Sequence, residues 1–170
     1  MPTHVALLRA INVGGTGKIA MTDLRALCEG AGFASVRTYI QSGNVVFTSR
    51  LTELKVKAAL EKALHAHFGK ALSALVRSGP EMADVLKRNP FKNAAGNRVY
   101  VHFLDAAPAK GALEVVEGPD GEELHLSGRE LFVHYAGGMG TSKLKLPKFI
   151  AAGTARNMNT AAKLAEMAAG

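Results

Sequence analysis

The order in which the apolar periodicity changes constrains this chain most. Residues 3–10 read as a strand around Val5, Leu7 and Leu8. From about Met21 to Ala31 the spacing switches to three and four, with Leu24, Leu27 and Cys28 on one stripe and Gly32 as the stop. Residues 35–41 and 44–48 then read as two strands joined tightly at Ser42-Gly43. Thr52 can cap the helix that follows. Its face of Val56, Leu60, Leu64 and Phe68 runs to Gly69. Residues 72–77 predict a fourth strand. This succession predicts a four-stranded antiparallel sheet over 1–79, with residues 3–10 paired inside it and both helices on one face.

The second half follows a similar order. Pro80 opens a short helix to about Arg88, and strand 98–104 follows with Val99, Val101 and Phe103 alternating. A helix is expected at about 108–116, then a hairpin 122–127/131–135, a Gly-rich loop 137–142, a helix near 143–152 and a last helix over about 157–169. A fourth strand is missing or very short in this reading. The expected class is α+β, as two tandem ferredoxin-like (βαββαβ) plaits, the second incomplete. Residues 1–79 would be the first subdomain, 80–97 a connector, and 98–170 the second subdomain with its C-terminal helix.

Composition narrows the class further. With 48% hydrophobic and 21% charged residues the chain reads as globular. No apolar run approaches the ~18–20 residues that span a bilayer, so no membrane partner is expected. Met1-Pro2-Thr3-His4 offers no basic segment before an apolar stretch, so no secretory signal is expected. One cysteine, Cys28, excludes an intramolecular disulfide and a cysteine-rich zinc module. A bacterial cytoplasm is the expected location. The net charge of +7 is uneven: residues 1–79 carry ten Lys/Arg against four Asp/Glu, whereas 80–170 carry eleven against ten. A basic field favours phosphates and polyanions, although it also serves solubility.

Three polar motifs interrupt the apolar framework. They are Arg9-Ala10-Ile11-Asn12-Val13-Gly14-Gly15, Gln41-Ser42-Gly43-Asn44, and Thr154-Ala155-Arg156-Asn157-Met158-Asn159-Thr160. Gly14-Gly15-Thr16-Gly17-Lys18 is not a Walker A loop, because Asn12 stands at the first glycine position and Ile19 at the hydroxyl position. Glycine-rich backbone beside a helix start can still hold an anion without magnesium; its structural role is a tight strand-to-helix connection. Arg156 offers a planar fork for carboxylate or phosphate, while Thr154 and Asn157 can act as helix caps. Strand alternation places His102, His125 and His134 on one side of the second sheet, without the local spacing of a zinc site. Neither a G-x-S-x-G elbow nor an H-E-x-x-H helix is present, and no general base stands out. An RNA-recognition sheet would need stacking aromatics; the third strand offers Phe47 and the first offers none.

At these same residues the chain resembles a bacterial family, domain of unknown function 1697. The resemblance rests on Leu7 through Gly15, Met21 through Leu24, Gly32-Phe33, Thr38 through Phe47, Asn89-Pro90-Phe91, and Thr154 through Thr160. It implies a compact protein of two ferredoxin-like subdomains and no established activity. Ala10 stands where that family usually has Gly, and Met158 where it commonly has Trp. The first departure argues against a critical backbone approach, the second against stacking at that position.

The expected function is binding of an anionic small molecule, such as a nucleotide, or of nucleic acid, at the subdomain junction. Arg9 and Arg156 would neutralise charge; Asn12, Asn44 and Asn157 would orient the ligand; Ser42 and Thr160 would add hydroxyl contacts, and Thr154 is a further candidate. No cofactor and no metal are expected. The alternatives are a small hydrolase or transferase using the same pocket, and an interaction module in which these groups are purely structural.

Overall fold

The computed structural model describes residues 2–9, 19–39, 43–108, 121–139, 142–144, 146, 150 and 153–169. Among them are two four-stranded antiparallel sheets and four α-helices, an α+β protein. The chain forms two compact units, Met1–Met82 with Leu164–Gly170, and Ala83–Lys163. No described helix is long and apolar enough to cross a membrane.

In the first unit the strands are β1 (Thr3–Leu8), β2 (Ala34–Tyr39), β3 (Asn44–Thr48) and β4 (Ala74–Ser78), in the order β2-β3-β1-β4. The expected pairing of the first strand is present, with Ala6 opposite both Val45 and Val76. That register puts Ala6, Leu8, Val45, Phe47, Ala74 and Val76 on one face. Helices α1 (Met21–Gly30) and α2 (Glu53–Phe68) pack there through Leu24, Cys28, Val56, Leu60 and Leu64. Each of these five helical side chains is fully buried, worth on the order of 2 kcal/mol apiece for the larger ones. The stops are local: Gly32 and Gly69 take φ of 95° and 72°, the left-handed conformation that glycine adopts without strain. Thr52 Oγ1 accepts from the Lys55 amide at 3.3 Å, which caps α2 as its sequence predicts. A carboxylate pins α2 to β4: Glu61 Oε2 accepts from Lys57 Nζ at 2.8 Å and from the Ala74 amide at 3.0 Å.

In the second unit the strands are β5 (Val99–Phe103), β6 (Glu123–Ser127), β7 (Glu130–His134) and β8 (Thr154–Asn157), in the order β6-β7-β5-β8. The fourth strand is therefore present, and the expected incomplete second sheet is corrected. β8 is the polar segment Thr154-Ala155-Arg156-Asn157, whose composition reads as a helix approach, and its hydrogen bonding to β5 makes it a strand. Helix α3 (Gly79–Arg88) and the C-terminal helix α4 (Met158–Ala169) complete the described elements. The expected helix at 108–116 lies almost entirely outside the described residues. Of the expected helix near 143–152, residues 143, 144 and 146 are not helical and Ile150 is.

The register also corrects the histidines. Tyr100 faces Val133 and His102 faces Leu131, so His102 shares a face with the apolar cluster of Leu124, Leu131, Val133 and Tyr135. His125 faces Phe132 and His134 faces Val99, on the opposite side. Alternation fixes the phase within a strand, whereas only register fixes it between strands. The three histidines therefore cannot share one metal ion.

Arg88 ties α3 to the β6–β7 hairpin. Its Nε donates to Asp84 Oδ2 at 2.7 Å, one Nη donates to the Ser127 carbonyl and hydroxyl at 2.9 Å, and the other pairs with Glu130. Glu130 is 3% exposed, so removing Arg88 takes a charge-assisted hydrogen bond from a buried carboxylate. Arg88→Met is expected to cost about 2 kcal/mol in urea unfolding, and Glu130→Gln in the same chain to recover part of that. Equal stability of wild type and Arg88→Met would show the network to be superficial.

Candidate functional site

The polar motifs fall into two groups, each built within its own unit. In the first unit their described residues, Arg9, Gly43 and Asn44, lie where β1 ends. The Leu8 amide donates to Gly43 O at 2.8 Å, and the Arg9 amide donates to Ser73 O at 3.0 Å. The end of β1 is thus held between the β2–β3 hairpin and the segment entering β4, and Arg9 leaves it exposed to solvent. Asn44, opposite Leu7, is fully buried, and its amide donates to Tyr39 O at 3.0 Å. Its side chain closes the hairpin and is not presented to a ligand. Asn12, Ser42 and the Gly14–Lys18 loop lie outside the described residues. Phe47 is unavailable for base stacking: it is fully buried on the helix side, stacked on Phe33 with ring centroids 4.2 Å apart.

In the second unit β8 carries the tail motif. Arg156 lies opposite Val101 and is 7% exposed. One Nη donates to Thr154 Oγ1 at 2.7 Å and to Ala155 O at 2.9 Å. Burial lowers its pKa to about 10, which leaves the guanidinium charged at neutral pH. Asn157 Oδ1 accepts from the Thr160 amide at 2.9 Å, the bond of an N-cap to the third residue of α4. Thr160 is itself 9% exposed. Thr154, Arg156, Asn157 and Thr160 therefore all have roles in holding β8 and starting α4.

Reading the sequence missed Arg77. It is 1% exposed on β4, opposite Val5, and donates to the preceding carbonyl of Val76 at 3.1 Å. Arg156 makes the same bond to its own preceding carbonyl. Each arginine is followed by a capping residue and a helix: Ser78 and Glu81 form a reciprocal box at 2.8 and 3.2 Å, as Asn157 caps α4. The available signal was an arginine in the apolar run Ala74-Leu75-Val76. Also missed was a groove of about 340 Å³ in the first unit, lined by Glu61, Lys62, His65, Ala71, Leu72 and Ser73. Lys62 and His65 are one turn apart on α2, a spacing legible in the sequence but common on solvated helices.

The chemistry these groups offer is charge and hydrogen bonding. Burial pushes the Cys28 thiol up to about 12, with Glu29 adding to the effect, so it is not a nucleophile at neutral pH. Burial also pushes His102 down to about 4, leaving a neutral imidazole whose Nε2 lies 3.3 Å from the Tyr135 hydroxyl. Among the described residues no group of three or more His, Cys, Asp or Glu is placed to hold a metal ion.

Comparison with other proteins places this architecture. The family model described as Protein of unknown function (DUF1697) matches residues 1–132. None of the curated proteins matches the chain. Among solved structures, the chain is similar to the conserved bacterial protein SP0830 from Streptococcus pneumoniae, at 25% identity and a TM-score of 0.77, over 100% of this chain and 99% of that one.

Proposed function

The chain belongs to the family Protein of unknown function (DUF1697), and from that premise we propose that it binds an anionic, phosphate-bearing ligand, a nucleotide or nucleic acid. The observation that carries this reading is Arg9. This exposed arginine stands at a strand end fixed on both sides by backbone bonds, in a stretch of sequence, 1–79, with an excess of six positive charges. A rigid support lowers the entropic cost of presenting the fork to a phosphate. Asn12 and Ser42 remain candidates from the sequence. Asn44, Thr154, Arg156, Asn157 and Thr160 belong to the scaffold in this reading, because each is buried or half-buried, whereas Arg9 is exposed. The strand orders β4-β1-β3-β2 and β8-β5-β7-β6, all antiparallel, support the view that each unit is a ferredoxin-like plait.

Nucleic-acid and nucleotide binding, measured by filter retention and by thermal shift, is expected to weaken steeply with salt. Arg9→Ala should reduce affinity about tenfold, with Arg9→Lys restoring only part, since a point charge does not replace a fork. Arg156→Ala should instead lower stability by about 2 kcal/mol through the loss of a large buried side chain, without a salt-dependent binding change. If Arg9→Ala binds as wild type does, the reading fails. If neither ligand binds at low salt, the polar motifs are structural only.

A further inference from the structure

We propose that the groove between the C-terminal half of α2 and the segment leading into β4 holds a phosphate group of a small molecule, with Lys62, His65 and Ser73 as its ligands. The inference rests on the anion-binding reading and extends it to residues outside the polar motifs. At about 340 Å³ the groove is at the small end of the range for small-molecule sites, roughly 300–1,000 Å³. Its walls are unequal in charge. Glu61 contributes the one acid among its lining residues, and that carboxylate is engaged by Lys57 Nζ at 2.8 Å and by the Ala74 amide at 3.0 Å. Lys57 donates further to Ala74 O at 2.5 Å, so this acid–base pair is part of the α2–β4 fastening.

The remaining polar side chains of the groove, those of Lys62, His65 and Ser73, can each donate a hydrogen bond. Lys62 and His65 lie three residues apart on α2 and so project from neighbouring positions on one side of the helix. Among the described residues, none makes a side-chain hydrogen bond or ion pair with Lys62, His65 or Ser73. Lys62, His65 and Ser73 thus line one volume, and among the described residues their side chains are not committed to the fold by a hydrogen bond or ion pair. Leu72 and Ala71 add apolar surface beside them. Ser73 is also the residue whose carbonyl accepts the Arg9 amide, so the groove opens next to the strand end that presents Arg9. A phosphate group matches this set: several acceptor oxygens, up to two negative charges, and a size well below the groove volume, leaving room for the remainder of a small ester.

The test is a titration of the isotopically labelled full chain, followed by NMR at constant ionic strength, with inorganic phosphate in one arm and ribose 5-phosphate in the other. Saturable shifts at the Lys62 and Ser73 amides and the His65 ring are expected. Lys62→Ala and His65→Ala should each weaken binding about tenfold. Both positions are exposed on α2, so the variants should unfold at the wild-type urea concentration. A tighter response to the ester identifies a phosphorylated metabolite class, and an equal response identifies free phosphate; either supports the groove. Absent or non-saturable shifts overturn it, as does a response that Lys62→Ala leaves unchanged. The two readings separate cleanly. Loss of groove shifts with a persisting Arg9→Ala effect on nucleotide or nucleic-acid binding removes the groove alone. Groove shifts that persist when Arg9→Ala changes nothing remove the Arg9 reading alone.

Discussion

Replacing Gly153 with alanine is expected to destabilise the second unit by more than about 3 kcal/mol, the upper range for a point substitution, and to loosen β8. Gly153 sits immediately before β8, and its amide donates to Ile150 O at 3.0 Å. A Cβ added there would lie 2.0 Å from the carbonyl oxygen of Phe103 and 3.1 Å from Leu104 Cδ2. The nearer atom belongs to the backbone of a central strand, so no side-chain rotation relieves the clash. The chain must withdraw, and the pairing of Thr154 with Phe103 is the first to open. Arg156, two residues further along, would lose its position opposite Val101. Gly30→Ala is the matching control. Nothing lies within 4 Å of its added Cβ, and it ends α1, so it should be neutral or slightly stabilising. Urea unfolding of the three proteins decides the matter: a Gly153→Ala midpoint equal to wild type would show that β8 is not held against β5 as described.

Acid should weaken the protein through His102. Burial lowers its pKa from 6.5 to about 4. Between those values the unfolded chain takes up a proton that the folded chain refuses, so stability rises with pH across the window. The contribution is complete above pH 6.5 and is lost progressively as pH falls toward 4, for a total of roughly 3 kcal/mol. The environment explains the direction: His102 is 8% exposed among Leu131, Val133 and Tyr135, with the Tyr135 hydroxyl as its hydrogen-bond partner. His102→Gln keeps an amide near that hydroxyl and cannot titrate. Its urea midpoint should therefore fall less than that of wild type between pH 7 and pH 4. Parallel curves for the two proteins would assign the acid sensitivity to carboxylates elsewhere.

The local structure of the first unit was legible because it rests on short-range physics. Thr52 and Gly69 frame α2 by capping and left-handed geometry, and Leu24 and Cys28 are buried because their spacing matches the helical repeat. Such features depend on residues a few positions away, so the amino-acid order states them directly. The end of β1 was also legible as a place of interest, since Arg9 and Gly43 are where strands must stop and turn. Four features were not legible, and all depend on register or on contacts between distant segments. Thr154–Asn157 has no strand-like composition, and its pairing to Val101 makes it β8. His102 separates from His125 and His134 because the phase between strands is set by partners and not by alternation. Arg77 is buried on β4, opposite Val5, which no property of an isolated arginine announces. Ser73 lines the same groove as Lys62 and His65 because α2 packs beside the segment entering β4, where Glu61 accepts from the Ala74 amide. By itself, then, the sequence determined where elements begin, end and turn, through propensity and periodicity. The tertiary structure decided which faces coincide and which polar groups remain available, because hydrogen-bonded register brings together residues that no local pattern relates.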